Sequence, residues 1–312
     1  MLSFIIKDYD GNSIQAPKAL TVVINADCNV PADDLSVTFP ISTEFFNNAN
    51  FIEAFKGDKL VFKGQIDEIS DICNSKSAVT KITARSLAAF LLDNEAEPVT
   101  YINPAAGLIF NKHLKPFGIN EYLGGEQPLF ANLKINKGMT HWQVFENYCF
   151  NKYGKNPRIT ADGKALFQGY TPNEVITLSD KNGDINYSKI KRVFKRYKLI
   201  SDVRLKLSEN GMYNGSIKNT SDECRGINRV RFVNTLADTS SIGTADKIIA
   251  QSNINSMRYH VRCVGCYVDV LGKGAIIKDK RFGIIDNLIV DEIKYVLKNR
   301  SELTIIELRK KG

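Results

Sequence analysis

Leu60, Phe62, Gly64 and Ile66 alternate with Val61, Lys63, Gln65 and Asp67, the period of two expected of a strand with one buried face. Residues 79–85 alternate in the same way, and 18–25 form a β-rich run containing Leu20, Thr21, Val22, Val23 and Ile24. Many short strands with few helices predict a compact barrel or sandwich for the first hundred residues. The 312 residues suit about two domains. With 43% hydrophobic and 24% charged residues, the composition excludes a disordered, collagen-like or membrane-bundle chain. The longest apolar run, 87–92, has six residues, against the roughly 20 that span a bilayer. Lys7 and Asp8 interrupt the apolar start at once, which predicts no secretory signal.

Helical spacing enters in three places. Ser86 is the expected N-cap of a short helix with Leu87, Phe90 and Leu91 on one face, closed by Pro98. Asn103-Pro104 predicts a second start, with Ile109, Phe110, His113 and Leu114 as its apolar face and Pro116 and Gly118 as its end. Thr140-x-x-Gln143 is a capping box ahead of Trp142, Phe145, Tyr148 and Cys149, with Gly154 as the stop. Residues 158–170 read as a hairpin turning at Asp162-Gly163. Beyond about 185 strands return. One long strand is expected over 191–207 with a turn at Asn210-Gly211, another strand over 228–233, a helix over 244–257, and a hairpin of 288–297 with 302–308. The order is β-rich, α+β, β-rich, with divisions expected at 1–100, 101–184 and 185–312.

Charge is concentrated in one segment. Lys189, Lys191, Arg192, Lys195, Arg196, Lys198, Arg204 and Lys206 face only Asp202, so this segment carries +7 of the formal net +8. Such a run fits a nucleic-acid-binding module, because clustered cations neutralise phosphates. It fits equally a basic face against an acidic protein, or an edge strand blunted by lysines.

Chemistry finds little support. There is no dinucleotide fingerprint, no Walker loop and no nucleophile elbow. Cys263-Val-Gly-Cys266 has half the spacing of a zinc site, but no second pair completes four ligands. The six cysteines are scattered, as reduced thiols are. His113, His141 and His260 stand far apart in sequence, and a thiol–histidine pair, such as Cys149 or Cys263 with His260, needs the fold to build it. The carboxylates Asp33-Asp34, Glu95 with Glu97, and Asp291-Glu292 could each supply an acid/base pair for a cell-wall hydrolase. Adjacent acids on a strand point to opposite faces, which disfavours them. The expectation is no catalytic residue, no cofactor and no metal.

The order of several motifs resembles a known family. Gly57-Asp58 leads into 61–67, and Ile82-Thr83-Ala84-Arg85-Ser86 runs on through 87–96. Gly138-Met139-Thr140-x-Trp142, Tyr153-Gly154 and Pro157-Arg158-Ile159 with Gly163 and Leu166 follow, then Arg196-Tyr197-x-x-Ile200-Ser201-Asp202-Val203 and the closing 288–290 and 304–308. This series resembles phage baseplate hub proteins: the late control D proteins, the hubs of Mu-like and T4-like contractile tails, and the XkdQ-type hubs of prophages and R-type bacteriocins. Gly272-Lys-Gly274 stands where related hubs often carry Pro-Gly.

The resemblance implies a mainly β chain with two tube-like β-barrel domains flanking a small α+β domain. It also implies a non-enzymatic homotrimer whose barrels form a pseudo-sixfold ring between a hexameric tail tube protein and a trimeric central spike protein. Tape-measure protein and other baseplate proteins are further expected partners. Neither membrane anchoring nor sequence-specific nucleic-acid binding is expected. The implied location is the bacterial cytoplasm during assembly, then the baseplate of a released particle. Some family members carry a fused peptidoglycan-cleaving domain, for which Gly312 after the closing strand leaves no expected room. Under this resemblance the basic segment lines the ring's lumen or faces an acidic tube or spike surface.

Overall fold

The structure, a computed structural model, describes residues 2–40, 46, 48–75, 78–125, 127–207, 211–234 and 241–311. They form two compact units that are discontinuous in sequence. The first comprises Met1–Val175, Arg262–Lys273 and Val290–Ile306, and the second Ile176–Val261, Gly274–Ile289 and Glu307–Gly312.

The first unit opens with β1 (Leu2–Asp8), β2 (Ser13–Gln15), β3 (Thr21–Asp27), β4 (Asp34–Pro40), β5 (Ala49–Lys56), β6 (Lys59–Cys73) and β7 (Ala78–Ser86). They pair antiparallel in the order β3-β4-β7-β6-β5-β1-β2. The alternation decides the face. Leu2, Phe4 and Ile6, then Val22 and Ile24, then Leu35, Val37 and Phe39 are all buried, while their neighbours are exposed or half-buried. Gly64 is imposed by packing, since a Cβ there would lie 2.1 Å from the Arg85 carbonyl oxygen.

An α+β module follows with its own core. Its short strands are β8 (Thr100–Tyr101), β9 (Glu121–Leu123), β10 (Leu133–Lys134), β11 (Arg158–Ile159) and β12 (Lys164–Leu166). Helix α1 (Ala88–Asp93) starts without a side-chain cap; Ser86 is not its N-cap, because the Ser86 hydroxyl accepts from the Asp33 amide instead, at 3.0 Å. It ends at Asn94, whose extended backbone breaks the helix four residues before Pro98. Helix α2 (Ala106–Ile109) also departs from expectation. Asn103 adopts φ +45°, and the helix begins three residues later without a side-chain cap. Its helical path continues through Phe110–Leu114 and Lys115–Phe117 to Gly118 at φ +79°. Ile109, Phe110, His113 and Leu114 are buried as the spacing predicts.

Helix α3 (His141–Tyr153) carries the full capping box: Thr140 Oγ1 accepts from the Gln143 amide, and Gln143 Oε1 accepts from the Thr140 amide. Gly154 ends it at φ +65°. Trp142, Phe145, Tyr148 and Cys149 are buried, and Phe145 meets Phe167 edge-on with centroids 4.8 Å apart. β11 and β12 form the expected hairpin, with Gly163 at φ +82° in its turn.

The later strands are β13 (Val175–Ser179), β14 (Ile185–Phe194), β15 (Asp202–Lys206), β16 (Gly215–Lys218), β17 (Val230–Asn234), β18 (Met257–Val264), β19 (Gly274–Asp279), β20 (Gly283–Lys298) and β21 (Ser301–Lys310), with helix α4 (Ser241–Ser256). The order β19-β13-β14-β18-β21-β20 returns to β19 and closes a six-stranded barrel. The 290–298 part of β20 belongs to the first unit, where it pairs with β3. The long strand expected over 191–207 is two. β14 ends at Phe194, a short turn holds Arg196–Lys198, and β15 lies in a separate sheet of order β16-β15-β17. This insertion has its own small core of Val203, Leu205, Val233 and Ala245, with Ile248 and Ile249 of α4 against it. Gly211 lies in the described structure, but Asn210 of the expected turn lies outside the described residues.

Candidate functional site

The basic segment is dispersed by the fold. Lys189 and Lys191 stand exposed on β14, and Arg192 lies over the Phe282 ring at 4.9 Å. Lys195 is 3.9 Å from Glu307, and Arg196 donates to the Arg225 carbonyl at 3.3 Å. Arg204, on the other sheet, pairs with Asp202 at 2.6 Å. The eight cations therefore do not share one face.

Glu307 of β21 gathers basic side chains from elsewhere in the second unit. Arg258 Nε lies 2.9 Å from Oε1 and His260 Nδ1 3.1 Å from Oε2. Burial, together with Lys195, Lys191 and Arg258, holds His260 below the usual histidine range against the pull of Glu307. The imidazole is thus a neutral donor to a carboxylate already satisfied by Arg258, an arrangement that braces adjacent strands.

The other two histidines meet. His113 Nδ1 and His141 Nδ1 are 3.0 Å apart, and the Tyr101 hydroxyl lies 3.2 Å from His113 Nε2. A bond between two like ring nitrogens needs one proton between them, so one imidazole donates and the other, unprotonated at Nδ1, accepts. His141 also bonds the Glu95 backbone carbonyl. Burial, then the neighbouring His141 and Lys112, pull His113 down to about 4. Sequence distance hid this pair; the signal available was that each histidine sits beside apolar helix positions.

The remaining candidates resolve into structure. Asp33 pairs with the buried Arg158, which also donates to the Val30 and Pro31 carbonyls. Asp34 accepts from Asn25 at 2.8 Å, and Asp291 accepts from Asn29 at 3.1 Å. Glu95 accepts from the Gly138 amide at 2.6 Å. Cys263 and Cys266 are buried, and no metal-ligating group of three or more His, Cys, Asp or Glu forms among the described residues. Burial pushes the Cys263 thiol up to about 12 and Cys149 higher still, so neither is a thiolate nucleophile near neutrality. Gly272 takes φ +76°, and a Cβ there would lie 2.2 Å from the Tyr170 ring; proline, with φ near −65°, could not hold that backbone.

No protein-family model matches the sequence, and no curated protein sequence matches it. Solved structures do. A tail protein of Neisseria meningitidis MC58 superposes with TM-score 0.78 at 16% identity, covering 100% of this chain and 97% of that one. A 43 kDa tail protein of prophage MuSo2 from Shewanella oneidensis gives 0.76 at 13% identity, covering 98% and 97%. An Escherichia coli component of the type VI secretion system, described as similar to the T4 tail proteins gp27 and gp5, gives 0.57 at 11% identity, covering 96% and 75%. The chain has, over essentially its whole length, the mainly β barrel fold of these tail proteins.

Proposed function

We propose that the chain is a structural, non-enzymatic hub subunit of a phage tail or phage-tail-like contractile particle. Three copies form a pseudo-sixfold ring that joins the tail tube to the central spike. Residues 1–100 and 185–312 supply the two tube-like surfaces, and 101–184 the module between them in sequence. The observation that carries the reading is the end-to-end match to two tail proteins, which covers 97% of each of those chains. Duplicated, non-identical barrels answer a symmetry mismatch, because a trimer of them presents six nearly equivalent surfaces to a sixfold tube. Among the described residues no helix is long and apolar enough to cross a membrane, and the reading needs none.

Light scattering on a sizing column, after nuclease treatment, tests it. The expected mass is about 105 kDa, three times the 34.9 kDa chain, with capture of tube and spike proteins on co-expression. A chain that stays monomeric with both present overturns the reading.

A further inference from the structure

Two strands run past their partners. β5 pairs with β6 only as far as Phe51↔Gln65, while β6 continues on β7 to Cys73↔Ala78. Among the described residues, 66–73 therefore present an edge on the side β5 has left. β13 likewise pairs with β14 only through Leu178↔Ile185 and Ser179↔Asn186. Among the described residues β14 has β13 and β18 as its strand neighbours, so 187–194 present an edge there on the side of β13. Beyond Gly64 on β6 and beyond Tyr187 on β14, no side chain is fully buried, so both faces meet solvent.

The two edges carry opposite charge. The β6 extension holds Asp67, Glu68 and Asp71 with no base; the β14 extension holds Lys189, Lys191 and Arg192 with no acid. Some of these groups have local partners. Asp67 pairs with Arg85, Glu68 accepts from Ser70, Asp71 accepts from Thr80, and Arg192 covers Phe282. Lysines alone suit an edge that must refuse all pairing. An acidic edge and a basic edge on one chain do something further: each refuses a copy of itself and accepts the other.

We infer that the 66–73 edge of one copy pairs as a strand with the 187–194 edge of the next. The inference rests on the proposed ring and names the contact that closes it. Pairing of unlike edges is heterologous, the type of interface that generates closed rings when its rotation closes. Cross-strand opposite charges then set which edges meet, and like charges directly opposed disfavour the alternatives. Main-chain hydrogen bonds of the added strand supply the affinity.

The test is a charge exchange followed by sedimentation velocity at several concentrations. E68K/D71K and K189E/K191E, which spare the Asp67–Arg85 and Arg192–Phe282 contacts, should each raise the concentration of half-assembly about tenfold or more. The combined chain E68K/D71K/K189E/K191E places reversed edge against reversed edge at every contact and should recover wild-type assembly to within about threefold. Amides of 66–73 and 187–194 should also gain hydrogen-exchange protection on assembly, which a non-pairing edge would not show. Circular dichroism melts verify that each variant folds. A wild-type trimer indifferent to both reversals, or without that protection, overturns the edge pairing and leaves the ring reading standing. A folded combined variant that stays dissociated also overturns it. A wild-type chain monomeric at every concentration overturns both.

Discussion

Protonating His113 should destabilise the module around it by an amount the structure sets. The ring is 3% exposed, faces His141 Nδ1 at 3.0 Å, and is held down to about 4 by burial first and the neighbouring His141 and Lys112 second. In the unfolded chain the same ring titrates near its ordinary value of 6.5. The folded pKa is thus the lower one, and the unfolded state binds the proton more readily. The stability difference is absent above about pH 6.5, grows as pH falls through that value, and is complete below about 4. The full span is worth about 3 kcal/mol, of which about 2 kcal/mol is lost by pH 5. For a unit of this size that corresponds to a fall in Tm of about 4–8 °C between pH 7.5 and 5.

Trp142 is the single tryptophan and lies buried in the same core, so its fluorescence reports this module during the melt. His113→Asn keeps a polar group at the Nδ1 position and removes the titration. Carboxylate titrations move both proteins alike, so the difference between their Tm–pH curves isolates the imidazole. That difference should narrow by several degrees from pH 7.5 to 5. Parallel curves would refute the reasoning, because they would mean His113 binds its proton equally well folded and unfolded.

Other substitutions test the packing. Gly272→Ala should cost about 3 kcal/mol or more, since it forces a side chain onto a positive φ and against Tyr170; denaturant melts by Trp142 fluorescence would show a lower midpoint. Arg158→Met leaves Asp33 buried without its cation and should cost about 3–5 kcal/mol. The double variant with Asp33→Leu should recover a large part of that loss in the same assay. Thr140→Ala removes the α3 cap and should cost about 1 kcal/mol, measured as a midpoint shift without change in folded-state circular dichroism.

Much of the local structure was legible in residue order. The capping box of Thr140 and Gln143, the stops at Gly118 and Gly154, and the turn at Gly163 depend on residues within a few positions of one another. So does the buried stripe of Ile293, Tyr295 and Leu297. Ser86 is not a cap because its partner is remote: it serves the Asp33 amide, 53 residues away in sequence, while Asn103 is displaced from the helix start by its own φ of +45°. Loose alternation continues across Arg196–Lys198 and suggests one strand over 191–207, whereas pairing puts β14 and β15 into different sheets.

Sequence by itself determined where strands, helices and turns could form, their inward faces, and the resemblance later matched by fold. Those are properties of side-chain periodicity and backbone preference over a few residues. Tertiary structure alone decided that β20 serves both units, that His113 meets His141, and that Asp33 is consumed by Arg158 rather than paired with Asp34. It also decided which strand halves outrun their partners. Each depends on closing a long loop onto one of many similarly patterned strands, a choice made by the summed packing of the whole core rather than by any short stretch of chain.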